Sequence, residues 1–211
     1  MKKAAWLLGL LLSANVAWAD NTSATVEKLQ HEWANANYSV AEDKREDAFK
    51  ALADRAHQAT ASNPNRAEVM VWEAIILSTY AKYKGGLGAL GLAEKSRDLL
   101  LAAEKIDPAT LNGSIYTSLG SLFYKVPGWP IGFGDKKKAR EYLEKALKIN
   151  PDGIDPNYFY GDFLAERSEY AKAKQYLEKA LKAPARPGRE DADKGRRDEI
   201  REALKRVESH L

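Results

Sequence analysis

The sequence predicts an all-α protein in which pairs of helices repeat along the chain and stack into a solenoid. The heptapeptide YLEKALK occurs at residues 142–148 and again at residues 176–182, 34 residues apart. A period of this length is typical of stacked helix pairs. Predicted helix ends are followed by Pro64, Pro108, Pro151 and Pro184, and no segment has the alternating polarity of a half-buried strand. We therefore expect about nine helices and no strand.

The first 19 residues are predicted to be a secretory signal peptide. Lys2 and Lys3 precede the apolar run AAWLLGLLL, and Ala17, Trp18 and Ala19 have the small-residue pattern of a cleavage site. The apolar run is about half the roughly 20 residues that a membrane-spanning helix needs. We expect cleavage after Ala19, a periplasmic location and no stable membrane insertion. Because the sequence has no cysteine, we expect no acyl anchor and no disulfide.

Three regions are predicted to follow the signal peptide. Residues 20–64 form N-terminal helices that fit the repeat poorly and are interpreted as a degenerate first repeat. Residues 65–184 form three helix pairs. Residues 185–211 form a linker and a charged capping helix that buries one apolar stripe and exposes the other face. The stripe consists of Ile200, Leu204, Val207 and Leu211.

The two clearest helix pairs share a residue pattern. The first helix of each pair contains a glycine, Gly120 or Gly161, and the second contains Ala-x3-Leu-x2-Ala, beginning at Ala139 or Ala173. These residues resemble the tetratricopeptide-repeat (TPR) signature, in which a small residue lets the two helices approach closely. The resemblance implies an α-solenoid whose concave face binds another protein or an extended peptide.

Two of the predicted pairs have extra residues between their helices. The TPR family has 12 residues between the small position of the first helix and the alanine of the second, whereas here the spacing is 19 from Gly120 to Ala139 and 20 from Ile76 to Ser96. The extra residues are predicted to be loops that contain residues 83–91 and residues 126–135. Equivalent loops of a solenoid emerge along one edge, so we expect these two to be neighbours.

The resemblance also assigns the concave face, from four positions of each first helix. The assigned residues are Met70, Glu73, Leu77 and Tyr80, then Ser114, Thr117, Ser121 and Tyr124, then Asp155, Tyr158, Asp162 and Ala165. This set is neutral to acidic and rich in hydroxyls. Tyr80, Tyr124, Tyr158 and Asp162 are therefore candidate binding residues, and Tyr83, the first residue of the 83–91 insertion, is a further candidate. The alternative is that some of these tyrosines only fill the groove against the C-terminal helix.

The second insertion, VPGWPIGFGD, concentrates apolar side chains between prolines and glycines. Trp129, Ile131 and Phe133 form this apolar set, and Asp135 is predicted to cap the next helix. One interpretation is a lip over a ligand groove, in which these three residues bind a ligand or partner. The other is a plug that packs inward and covers its own repeat.

A closer resemblance covers roughly residues 65–205. The loop of type PG..GFGD before KAR.YLEKAL.I.P, the glycine-rich link and the arginine-rich final helix resemble the T-component (TatT-like) proteins associated with TRAP transporters. The resemblance implies a periplasmic accessory protein that partners a solute-binding protein, an organic or hydrophobic substrate, and homo-oligomers. The alternative function is a stand-alone carrier of a small organic ligand.

We expect no enzyme activity, no cofactor and no metal. The three histidines are scattered, and the motifs HExxH, GxSxG and GxxxxGK[ST] do not occur. Gly86, Gly88 and Gly91 have GxGxxG spacing, but no strand precedes them and no acidic residue follows at the required distance. Removal of Lys2 and Lys3 with the signal peptide lowers the formal net charge from +3 to +1, with basic and acidic residues interspersed. This pattern excludes a typical nucleic-acid-binding protein.

Overall fold

The structure, a computed structural model that describes residues 22–211 apart from the side chain of Leu87, confirms the all-α prediction. The predicted signal peptide, residues 1–19, lies outside the described residues. No helix within residues 22–211 is long and apolar enough to cross a membrane. The nine α-helices of this part of the chain are α1 (22–34, continued by a π-helical turn at Asn35–Ser39), α2 (Arg45–Ser62), α3 (Ala67–Lys84), α4 (Gly86–Ile106), α5 (Ser114–Lys125), α6 (Lys136–Ile149), α7 (Ile154–Glu166), α8 (Tyr170–Leu181) and α9 (Glu190–Glu208).

Consecutive helices pack as pairs, α1 with α2, α3 with α4, α5 with α6 and α7 with α8, and α9 packs on α8. The glycines of the repeat pattern lie where the paired helices approach most closely. A Cβ added to Gly120 would lie 2.5 Å from Cγ of Leu143, and one added to Gly161 would lie 2.8 Å from Cγ of Leu177. Any larger side chain at these positions would separate the two helices, which explains why the pattern requires a small residue.

The two predicted insertions have different structures. The prediction of a loop at residues 83–91 is wrong, because α3 continues to Lys84 and α4 begins at Gly86. The chain reverses direction at Gly85 and Gly86, whose φ angles of 61° and 59° are readily adopted only by glycine. The leucines and alanines that follow are strong helix formers, so the extra residues lengthen α4.

The other insertion, between Lys125 and Lys136, is the predicted loop. Asp135 caps α6 as predicted: its Oδ1 atom accepts hydrogen bonds from the backbone N–H groups of Lys137 and Lys138 at 2.9 and 3.1 Å. The predicted proximity of the two insertions is also confirmed. Leu90 Cδ1, in the first turns of α4, lies 3.2 Å from the position of an added Cβ on Gly132.

The predicted register of α3 is wrong. The residue of α3 that faces α4 is Ala74, whose carbonyl accepts a 2.7 Å hydrogen bond from the Ser96 hydroxyl, and not Ile76. Trp72 and Ile76 instead pack against α1 and α2 in a separate apolar cluster. The helix is buried on several sides, so apolar periodicity alone does not distinguish between these registers.

Helix α9 does more than cap the last repeat. Ile200 and Val207 pack on α8 as predicted, whereas Leu211 lies beyond the helix and is exposed. An adjoining side of α9 contacts the first helix: Ala192 joins the apolar cluster of α1, and a Cβ added to Gly195 would lie 2.4 Å from the ring of Tyr38. The buried face is therefore wider than the predicted stripe in the first turns of α9, while Asp191, Lys194 and Asp198 on the other face are exposed as expected.

Two polar contacts accompany the close packing of α9 against the first helix. The Tyr38 hydroxyl donates to Glu199 at 3.2 Å, and Nδ1 of His31 lies 3.1 Å from a carboxylate oxygen of Asp191. The first and last helices thus meet across the concave face. The described part of the chain is consequently a closed solenoid, with an internal space between its repeats and α9.

Candidate binding site

A chamber of about 610 Å³ lies on the concave side of the solenoid, between α3, α4, α5, α7 and α9. Its walls are mainly apolar and include Trp33, Leu90, Leu122, Ile131 and Phe159. The volume is within the range of sites that bind small organic molecules. The chamber exists because α9 crosses to α1, which turns an open groove into a partly enclosed space.

A smaller pocket of about 120 Å³, the polar pocket, adjoins the chamber. The two spaces share Trp33, Phe159 and Arg196 as walls. Serine and threonine residues of α3 and α5 line one side of the polar pocket, and Arg186 and Arg189, from the linker before α9, line the other. The site is therefore apolar at one end and rich in hydrogen-bonding groups at the other.

The charge of the lining is positive, contrary to the neutral-to-acidic groove predicted from the first helices. Six cationic side chains line the two spaces, Lys82, Lys125, Arg186, Arg189, Arg196 and Arg206, against the carboxylates of Asp155, Asp162 and Glu199. Four of these cations belong to α9 and its linker, which the repeat pattern does not assign to the concave face. Residues 22–211 contain no group of three or more His, Cys, Asp or Glu side chains placed to hold a metal ion.

An ion-pair network fixes the polar end of the site. Asp155 at the start of α7 accepts from Arg196 Nε at 2.8 Å and from Arg186 Nη1 at 2.6 Å, and Arg186 also pairs with the buried Asp193. Burial by itself would raise the pKa of the Asp155 carboxyl, but the two guanidinium groups hold it well below the usual range. Arg196 also bonds to Glu199 and is thereby held against the chamber wall. The network positions α9 relative to α7.

The structure brings Tyr158, Asp162 and Ile131 together in the chamber wall, as the sequence predicts for the concave edge. Tyr158 is half-buried under the Arg196 guanidinium, which lies 4.7 Å from the ring centroid. Burial raises the pKa of the Tyr158 hydroxyl above its ordinary value. Tyr158 therefore packs against the C-terminal helix, which is the alternative to ligand binding that the sequence leaves open for the tyrosines.

Tyr124 lies behind the wall rather than on it. Its ring is buried, and its hydroxyl donates to Asp162 at 2.8 Å, while Lys125 Nζ approaches the same carboxylate at 2.8 Å. Burial and the Asp162 charge raise the pKa of the Tyr124 hydroxyl well above its usual value. Tyr124 therefore positions Asp162, and Asp162 is the group that faces the chamber.

Tyr80 and Tyr83 do not line the site. Tyr80 is buried in the N-terminal apolar cluster, and Tyr83 stacks on Phe49 with ring centroids 5.3 Å apart. The Tyr83 hydroxyl donates to Asn37 at 2.8 Å, so this tyrosine supports a residue of the chamber wall. The assignment of Tyr80 to the groove is wrong because the predicted register of α3 is wrong, and the same error placed Glu73 there; Tyr83 belongs to α3 and not to a loop. The Glu73 carboxylate is 1% exposed and pairs with His57 and Lys95 on the far side of the helix.

The three apolar side chains of the loop at residues 126–135 have different environments. Phe133 packs inward, edge-on to Phe123 at 5.6 Å and under the Arg97 guanidinium at 4.5 Å. Trp129 does not line the chamber and is 90% exposed, whereas Ile131 borders the chamber and is 68% exposed. The plug interpretation is therefore correct for Phe133 and wrong for Trp129.

Backbone hydrogen bonds hold this loop. Gly134 N–H donates to the Pro127 carbonyl at 2.9 Å, and Asp135 N–H donates to the Phe123 carbonyl at 2.8 Å. Gly128 and Gly134 form an isolated β-bridge between the two ends of the loop. Trp129 is thus an exposed aromatic side chain on a loop that is hydrogen-bonded at its base.

Several residues of the site are absent from the sequence prediction. Trp33 borders both spaces and donates from Nε1 to Thr79 at 2.9 Å, yet it belongs to the first repeat, where the pattern is too degenerate to assign a face. Arg189 and Arg196 belong to a charged segment that resembles a solvated helix surface. Their inward position depends on the α1–α9 contact, which joins residues 160 positions apart.

Comparisons with known proteins agree with this fold. Residues 131–188 match a family model of the tetratricopeptide repeat. No curated protein matches the sequence. Among solved structures, a thermophilic TPR protein of Thermus thermophilus is similar with a TM-score of 0.57 at 14% identity, over 93% of this chain and 95% of that chain.

Two further solved structures are similar at lower scores. MamA has a TM-score of 0.43 at 20% identity, over 82% of this chain and 95% of its own. PilF of Pseudomonas aeruginosa has a TM-score of 0.39 at 15% identity, over 90% of this chain and 93% of its own. At these identities the likeness concerns the fold alone, and the argument for the fold depends on the first structure and on the family model. The chain is accordingly a solenoid of helical repeats with the tetratricopeptide-repeat fold, and residues 131–188 have the sequence of that family.

Proposed function

We propose that this protein is a periplasmic interaction module that binds another protein at the edge formed by the 126–135 loop. The observation that supports this most directly is Trp129, a large aromatic side chain that is 90% exposed on a hydrogen-bonded loop. Exposed aromatic anchors of this kind dominate the energetics of many protein interfaces. Tetratricopeptide repeats generally mediate binding to proteins or peptides, and the periplasmic location is inferred from the signal peptide predicted at residues 1–19.

The surroundings of Trp129 suit a protein partner. Ile131, two residues further on, is also exposed and borders the chamber, so the two side chains form an apolar surface at its mouth. Lys125 and Lys136, which flank the loop, approach Glu166, and a polar rim therefore adjoins the apolar surface. A partner that covers both regions would bury an apolar centre inside a charged border.

The finer form of the proposal is that the partner is the solute-binding protein of a TRAP-type uptake system. The support is the resemblance of residues 65–205 to T-component proteins, carried by the PGWPIGFGD loop and the arginine-rich α9.

The test replaces Trp129 with a photo-crosslinking amino acid in living cells. We expect one dominant crosslinked product, and a matched variant with the same amino acid at the exposed Lys172 of α8 should not form it. Trp129→Ala should then weaken binding of the purified partner at least about tenfold, since a buried aromatic anchor contributes about 2 kcal/mol or more. The melting midpoint should hardly change, because the side chain is exposed. Equal crosslinking at both positions would refute a binding role for the loop.

A second candidate function is supported by a separate observation, the chamber of about 610 Å³ with mainly apolar walls. A protein with such a space can carry a small organic molecule without any partner. Mass spectrometry of the purified protein under native and denaturing conditions separates the two functions. A retained small molecule supports the carrier, whereas a co-purifying solute-binding protein supports the adaptor.

A further inference from the structure

The polar pocket is lined by hydrogen-bonding groups that have no protein partner. Within residues 22–211 the Arg189 guanidinium makes no hydrogen bond and no ion pair, and its Nε atom is buried. The hydroxyls of Ser118 and Ser121 on α5 are also without a protein partner in that part of the chain. Trp72, which is 4% exposed, lines the same pocket with an unpartnered, buried indole Nε1. The Arg189 guanidinium and the two hydroxyls, from two elements, thus line one small space, and the buried Trp72 Nε1 atom lies behind its wall.

The chemistry of these groups indicates what they would bind. A guanidinium and an indole N–H can only donate hydrogen bonds, and the two hydroxyls can donate as well. The carboxylate that lines the pocket, that of Asp155, is already paired with Arg186 and Arg196, so these donors have no free acceptor among the lining carboxylates. Unpartnered donors are costly to bury, so an acceptor in this position would stabilise the site.

The charges lead to the same conclusion. Arg186 and Arg196 are each paired with Asp155, whereas Arg189 has no carboxylate of its own. Burial and the neighbouring Arg186 lower the pKa of the Arg189 guanidinium, against the opposing effect of the carboxylates of Asp155, Asp193 and Asp191. Its ring contact with Trp72, at 5.0 Å, holds it in place without neutralising it. An anionic acceptor would complete the set.

The size and surroundings of the pocket restrict this anion. A volume of about 120 Å³ suits a carboxylate-sized group, and the pocket opens into the much larger apolar chamber. Because α9 crosses the concave face to α1, a long extended peptide has no open groove to follow. A small molecule with a charged end and an apolar body fits both spaces.

We propose that the polar pocket binds the carboxylate of a small amphipathic acid, with Arg189 as its ion-pairing residue and the apolar chamber as the site of its body. This inference depends on the second function considered above, that the chamber holds a small organic molecule. It adds the chemical class of that molecule and the residue that recognises it.

The experiment compares decanoate with decanol by isothermal titration calorimetry on the signal-free protein. These two probes have the same alkyl chain length and differ in the charged end. We expect wild-type protein to bind decanoate at least about tenfold more tightly than decanol. Arg189→Gln should abolish that preference and leave decanol binding unchanged. Arg201→Gln, which removes an exposed arginine of α9, should behave as wild type.

Each other outcome has a defined meaning. Equal binding of both probes by wild-type protein would overturn the anion site and leave the carrier function intact. Failure of both probes to bind would overturn the carrier function and the anion site together. A preference for decanoate that persists in Arg189→Gln would overturn the assignment to Arg189. If Arg189→Gln does not fold, Ser118→Ala removes one donor instead and should weaken decanoate binding alone.

Discussion

At the scale of single residues, the polar end of the site depends on Asp155. Its carboxylate bridges Arg186 of the linker and Arg196 of α9, so one side chain joins the last repeat to two arginines of the C-terminal segment. Asp155 is one of the residues that the repeat resemblance assigns to the concave face, whereas the two arginines do not belong to the repeat pattern. Their pairing follows from the path of the chain after α8, which sequence spacing does not specify.

The Asp155 network makes a pH-dependent prediction. Asp155→Asn should destabilise the fold by about 2–4 kcal/mol at pH 7, because it leaves two partly buried guanidinium groups without their shared anion. The folded-state pKa of Asp155 is lowered, so its stabilisation is present above the unfolded pKa of about 3.9 and is lost as the pH falls further. The difference in unfolding free energy between wild type and Asp155→Asn should therefore become smaller below about pH 4.

Urea unfolding at pH 7 and pH 3 measures this difference. The matched control is Asp152→Asn, since Asp152 pairs with Lys179 but is 78% exposed. This variant should change stability by less than about 0.5 kcal/mol at either pH. If the two variants lose equal stability at pH 7, the Asp155 network does not stabilise the fold.

At the scale of the elements, the sequence predicted the repeats well and the connections between them less well. Gly120, Gly161 and the Ala-x3-Leu-x2-Ala helices are correct because each is set by a contact within one helix pair. The register of α3 is wrong because this helix contacts neighbours on several sides, and any of its apolar stripes could face α4. The helical form of residues 86–91 was missed because glycine spacing was read as a loop, although leucine and alanine separate the glycines.

Two glycines in helices test the contact between α1 and α9. Gly91 in α4 has no neighbour within 4 Å of an added Cβ, whereas Gly195 in α9 would place that atom 2.4 Å from the Tyr38 ring. Gly91→Ala should stabilise the fold by about 0.5–1 kcal/mol through helix propensity alone. Gly195→Ala has the same propensity gain but should be net destabilising by about 1–3 kcal/mol, because it forces Tyr38 away.

Thermal or urea unfolding of the two variants gives the comparison directly. Subtracting the two changes in unfolding free energy cancels the helix-propensity contribution and leaves the effect of the contact with Tyr38. A Gly195→Ala protein as stable as Gly91→Ala would mean that α9 does not lie against Tyr38.

At the scale of the whole molecule, closure of the solenoid converts a groove into a binding chamber. The sequence predicted the helices that form its wall, together with Tyr158, Asp162 and Ile131. It did not predict Trp33, Arg189 or Arg196, because these residues meet only when the two ends of the chain come together. The positive charge of the chamber has the same origin, since the arginines of α9 turn inward. The chamber therefore depends on a long-range contact that no local pattern encodes.

The measurement that tests this account most directly is the distance between α1 and α9 in solution. The sequence has no cysteine, so spin labels on Glu27→Cys and Lys194→Cys are specific, and both native side chains are exposed. Electron–electron double resonance should give one narrow distribution of distances at the short end of its range. A broad distribution centred at long distances, with no short component, would show that the solenoid is open and would contradict the chamber on which the carrier function and the carboxylate site depend.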